Sequence, residues 1–133
     1  MAATAQYAST PKIGSATLTT ADTSLTAPTT VGTVLTAGSS GTRIDYIDIQ
    51  GVATTTACLV NLFIYDGANY ILWTQVPVIA VTSSTTAPAF QATLSSNVNA
   101  NIMPLILPTG YSLRATVSVT QTGVRVTAQG GDF

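Results

Sequence analysis

This sequence predicts an all-β fold, an antiparallel β-sandwich of about eight strands arranged as a jelly roll or a related Greek key. Three observations lead there. In its clearest segments apolar and polar residues alternate with a period of two, which sends successive side chains to opposite faces of a strand. Threonine occurs 25 times in 133 residues, and its β-branched side chain suits a pleated surface while offering a hydroxyl to water. No window joins a helical period to an N-cap, because the alanines are scattered among Thr and Gly.

Residues 1–14 are small, polar and without period, and end in Pro11-Lys12-Ile13-Gly14. Such a stretch cannot offset its own ordering cost, so the expectation is an N-terminal arm over 1–14 and a single β-sandwich domain over 15–133. Within the arm Tyr7 and Ile13 are the side chains to present to a neighbour. Strands are expected over 15–20 and 31–37, both Thr-rich, with Pro28 in the loop between them and Gly38-Ser39-Ser40-Gly41 as the following turn. The next, 42–50, places Ile44 and Tyr46 on one parity and Ile47 and Ile49 on the other, which a β-bulge near Tyr46 would reconcile.

Residues 57–65 are nearly all apolar, with Cys58, Val60, Leu62 and Ile64 on one side and Leu59 and Phe63 on the other, a strand covered on both faces. Asp66-Gly67 follows and marks a hairpin. Its return strand over 70–76 is expected to stop at Pro77, which cannot donate to a ladder. Segments 78–81 and 90–94 flank a Ser/Thr/Pro loop, and 102–107 is an edge-like piece interrupted by Pro104. The last two strands alternate cleanly: Tyr111, Leu113, Ala115, Val117 and Val119 share one face, and Val124, Val126 and Ala128 share another.

Composition limits the chemistry. The chain has no histidine and no glutamate, the commonest general bases and metal ligands, so no catalytic, cofactor or metal role is expected. Asp45 and Asp48 read as solvated strand carboxylates, Asp66 as a turn residue, and Cys58, the only cysteine, as a small buried hydrophobe. Lys12, Arg43, Arg114 and Arg125 are dispersed, unlike the dense cationic footprint that nucleic acid requires. Polar residues break every apolar run short of a membrane span. With charged residues at 7% and a net charge of −1, the surface favours self-association, and a homo-oligomer, a trimer, is expected. Tyr65, Tyr70 and Trp73 gather at the Asp66-Gly67 hairpin as cross-strand packing, a platform that stacks on a sugar ring, or an interface anchor.

Several pieces resemble small proteins encoded among the structural genes of tailed bacteriophages. They are Gly41-Thr-Arg-Ile-Asp, Ala53-Thr-Thr-Thr-Ala57, Leu62-Phe-Ile-Tyr-Asp-Gly67, Leu72-Trp73 with Val76-Pro77-Val78, Leu107-Pro-Thr-Gly-Tyr-Ser-Leu-Arg-Ala115 and the ending Gly130-Gly-Asp-Phe133. The likeness spans roughly residues 41–133. It implies a virion component assembled in the host cytoplasm, a capsid decoration (cement) protein whose partners are its own copies and the major capsid protein or another virion protein. The alternative it leaves is a host-binding, glycan-binding module of a head or tail fibre. It transfers no catalytic residues.

Overall fold

The computed structural model describes residues 8–95 and 103–133. Among them nine strands form two antiparallel sheets with no helix: β1 (Thr10–Leu18), β2 (Gly32–Thr36), β3 (Thr42–Gly51), β4 (Cys58–Tyr65), β5 (Tyr70–Val78), β6 (Gln91–Ser95), β7 (Leu105–Leu107), β8 (Ser112–Val117) and β9 (Val124–Asp132). One sheet runs β1-β9-β3-β6, with β7 continuing the β6 edge along the first residues of β3. The other runs β2-β8-β4-β5. Except for the β4–β5 hairpin and the β6–β7 edge, successive strands change sheet, so the chain winds around a single core.

That core holds the residues that the period of two sent inward. Leu113, Ala115 and Val117 of β8 face Val124, Val126 and Ala128 of β9, all fully buried, with Ile44, Ile47 and Ile49 of β3 and Val60 and Leu62 of β4. Each fully buried Val, Leu or Ile contributes roughly 1.5–3 kcal/mol relative to exposure. Cys58 packs against this core half-buried, and burial raises its thiol pKa while the Gln121 side-chain amide, donating to Sγ, opposes the rise.

Three expectations change in detail. The proposed arm is strand from Thr10 onward: β1 pairs with β9 along its whole length, from Thr10 opposite Asp132 to Leu18 opposite Val124. The polar, Pro- and Gly-containing run orders because β9 supplies the backbone partners that an isolated segment lacks. Residues 1–7 of the proposed arm, Tyr7 included, lie outside the described residues. The return strand of the hairpin continues through Pro77, opposite Leu59. It can do so because β5 is an edge strand, where a missing N–H need not interrupt a ladder. In place of a strand over 78–81, Val81 makes an isolated bridge to Thr55.

Candidate functional site

The hairpin forms where the sequence placed it. Gly67 adopts φ +99°, a left-handed conformation that glycine accepts without penalty, and Asp66 Oδ1 accepts the backbone N–H groups of Ala68 and Asn69. These bonds hold the Asp66 carboxyl below its ordinary pKa, the Asn69 N–H contributing most. Tyr65 and Tyr70 are thereby directly opposite on the outer face of the second sheet. Their rings lie 4.4 Å apart, tilted by 33°. Phe63, two residues earlier on that face, is fully buried and meets Tyr70 edge to face at 5.9 Å.

Sequence reasoning missed Arg114. It stands opposite Phe63 from β8, and its guanidinium carbon sits 4.0 Å from the centroid of the Tyr65 ring. Its Nη1 donates to the Tyr70 hydroxyl at 2.9 Å and its Nε to Ser112 Oγ at 3.0 Å. No carboxylate pairs with it among the described residues. The available signal was positional: Arg114 alternates with Leu113 and Ala115 and so had to face outward beside the aromatic strand. Trp73 does not join the cluster. The β4–β5 register skips it, with Leu62 opposite Thr74 and Phe63 opposite Leu72, and this bulge leaves Trp73 packed on the core.

Ile13 is on the other sheet. The bulge expected near Tyr46 falls at Asp45, between Ile44 and Tyr46 in the β3–β9 register. It keeps Ile44, Ile47 and Ile49 inward and sends Tyr46 outward, where it is 48% exposed. Ile13, 67% exposed, Gln129 and Tyr46 then form one row across β1, β9 and β3. The row borders a cleft of about 460 Å³ lined by Pro11, Lys12, Ile13, Asp45, Tyr46, Gln129 and Gly130. Its floor has no side chain at Gly130 for a steric reason: a Cβ there would lie 1.8 Å from the Arg43 carbonyl oxygen. Asp45 is held by Arg43, Nε donating to Oδ1 at 2.8 Å.

The remaining polar side chains are structural. Asp22 gathers its loop by accepting the N–H groups of Ser24, Thr29 and Thr30, and the Thr30 bond contributes most to holding its carboxyl below the ordinary pKa. Asp132 accepts from the Thr42 hydroxyl and pairs with Lys12, whose ammonium also reaches the Thr36 carbonyl across the sheets. Gln75, Asn61 and Thr116 form a hydrogen-bonded line across β5, β4 and β8. No group of three metal-ligating side chains occurs among the described residues. Asp48 accepts from Gln91 and Thr93, as a solvated strand carboxylate does.

Of the candidate interface residues, Tyr65 and Tyr70 join an aromatic and cationic cluster on one sheet, Ile13 borders a cleft with Tyr46 on the other, and Trp73 belongs to neither. No protein-family model, curated protein or solved structure matches this chain.

Proposed function

We propose that this chain is a bacteriophage virion structural protein without catalytic activity, a capsid decoration protein that associates as a trimer and binds the capsid surface. The observation that carries the reading is the pair of separated contact surfaces on opposite sheets. A ring of three needs two different patches on each protomer, one toward each neighbour, and two separated surfaces supply them; joined contacts of the trimer with the shell then raise avidity without any one being deep. Nine large hydrophobic side chains stand exposed among the described residues, Ile13, Ile79 and Ile106 each by more than half, in a chain that has few charges to disperse them. The alternation of successive strands between β1-β9-β3-β6 and β2-β8-β4-β5 supports reading the sandwich as a jelly roll.

The aromatic cluster suits a protein partner better than a glycan. Tyr65 and Tyr70 turn toward each other, and Arg114 sits over Tyr65, so these ring faces are engaged within the chain. An Arg and two Tyr fixed in this way match the residue types that dominate protein interfaces. Light scattering at micromolar concentration should give a trimer, and quantitative mass spectrometry of purified particles should give a copy number comparable to that of the shell subunits. A monomer that binds no apolar dye, or a copy number at fibre stoichiometry, would overturn the reading.

A further inference from the structure

We infer that the two outer faces of the sandwich bind each other across copies, with Arg114 of one copy paired to Asp48 of the next. This rests on the reading of both faces as contacts between protein copies, and it names the groups that join them. The charges lead there. The chain carries four basic and five acidic side chains, all among the described residues, and most are answered within the fold. Lys12 turns inward to Asp132 and the Thr36 carbonyl, and Arg43 holds Asp45. Asp22 and Asp66 accept backbone N–H groups of their own turns. Arg114 on the second sheet, with Asp48 and Arg125 on the first, have neither an ionic partner nor a backbone bond.

Arg114 is prepared for an anion. Tyr65, Tyr70 and Ser112 fix its guanidinium, yet Nη2 donates to nothing among the described residues. A planar fork already held in place loses little freedom on meeting a carboxylate. No strand of its sheet carries another Lys or Arg, so this face lacks the run of cations that a chain of phosphates needs. Asp48 is the matching half. Its two oxygens accept only from the Gln91 amide and the Thr93 hydroxyl, both neutral. Arg125 stands one row away on β9 and makes neither hydrogen bond nor ion pair. It is exposed and unheld, and its pull on Asp48 passes through water and is screened there.

Apolar area flanks both groups. On the first sheet Asp48 follows Tyr46, beyond which lie Ile13, Pro11 and, in the next row, Ile106, 56% exposed. On the second sheet Arg114 is bordered by the half-buried Tyr65, Tyr70 and Leu72. Each face thus sets apolar side chains beside a charge that lacks an ionic partner, and Arg114 and Asp48 are opposite in sign. The faces point away from each other on opposite sheets, so one chain cannot bring them together. A head-to-tail contact between copies does, and it uses a different patch on each side, as a ring requires.

The test uses the full chain alone, by analytical ultracentrifugation at micromolar concentration. Arg114→Asp and Asp48→Arg should each raise the dissociation constant of the assembly by about tenfold or more, and the two reversals in one chain should recover most of the loss. If a reversal fails to fold, Arg114→Lys keeps a cation beside Tyr65. A carbodiimide should then couple the introduced amine to Asp48, against a background of one other lysine, Lys12, and mass spectrometry should find the amide between positions 114 and 48. That link can form only between copies, because the two positions face away from each other. A monomeric wild type would overturn both this pairing and the trimer. A wild-type trimer indifferent to both reversals, a double reversal no better than either alone, or an amide formed to other carboxylates in place of Asp48 would overturn the pairing and leave the trimer. The same link in an open chain of copies would support the pairing and remove the trimer.

Discussion

Replacing Gly130 by alanine should be among the most damaging single-methyl additions to this protein. Gly130 lies in β9, between Lys12 of β1 and Ile44 of β3. The added Cβ would lie 1.8 Å from the Arg43 carbonyl oxygen, 2.8 Å from its carbon and 2.9 Å from Ile44 Cα. Real Cβ atoms essentially never approach below 3.0 Å, so the backbones must part by at least 1.2 Å, the difference between 3.0 and 1.8 Å. The obstructing atoms are all main chain, and no rotamer change relieves them. Separating β9 from β3 there weakens two or three ladder hydrogen bonds of about 1 kcal/mol each and adds the strain of overpacking, about 2–4 kcal/mol together. Gly131→Ala is the internal comparison. Its Cβ would meet Thr10 O at 2.9 Å and Ala8 Cβ at 3.0 Å, near the start of β1, and should cost under about 1 kcal/mol. Urea unfolding followed by tryptophan fluorescence reads both. A Gly130→Ala midpoint equal to wild type, or a larger loss at Gly131, would refute the reasoning from close approach.

Acid should weaken the fold through three carboxylates. Asp132 is held below the ordinary value of 3.8 by the Thr42 hydroxyl and then Lys12, Asp22 by the Thr30 N–H and then Ser24 and Thr29, and Asp66 by the Asn69 and Ala68 N–H groups. Depressed folded-state values mean that the unfolded chain binds more protons, so this stability is complete above 3.8 and is lost as pH falls through the folded values. Thermal midpoints should fall below pH 3.8, and Asp132→Asn should flatten the fall; a midpoint independent of pH there would contradict these bonds. Removing residues 1–12 should lower the thermal midpoint by several degrees, because it deletes the pairs from Thr10–Asp132 to Lys12–Gly130 and the Lys12 contacts with Asp132 and Thr36. An unchanged midpoint would restore these residues to an arm. The Cys58 thiol should react with a disulfide reagent more slowly than a free cysteine at the same pH, since burial raises its pKa; equal rates would count against that packing.

What the sequence revealed depended on whether the determining contact was local. The Asp66-Gly67 hairpin, the alternating β8 and β9 and the bulge in β3 each showed as a pattern within a few residues. A break in parity at Tyr46 was enough to require an extra residue, although its consequence, a tyrosine turned outward beside Ile13, depends on β1 arriving from elsewhere. The first half of the strand at Thr10–Leu18, up to Gly14, was concealed because its partner is β9, with Lys12 and Asp132 separated by 120 positions. Trp73 was misplaced although alternation alone gave its side: three residues from Tyr70, it falls on the opposite face of a regular strand, toward the core where it packs. Arg114 stood in a legible outward position, but its seat on Tyr65 requires β8 and β4 to be neighbours.

The pairing of β1 with β9 also sets how the molecule bears load. Thr10 and Asp132 sit opposite each other at one end of that ladder. A pull that separates these two points loads a single rung at a time, so β1 should peel away in sequence at low force. Force delivered instead across the two sheet faces engages the packed interior as a whole, since no individual rung carries it. Anchored by its faces, the domain would resist a strain that would strip it if it were held by the ends of β1 and β9.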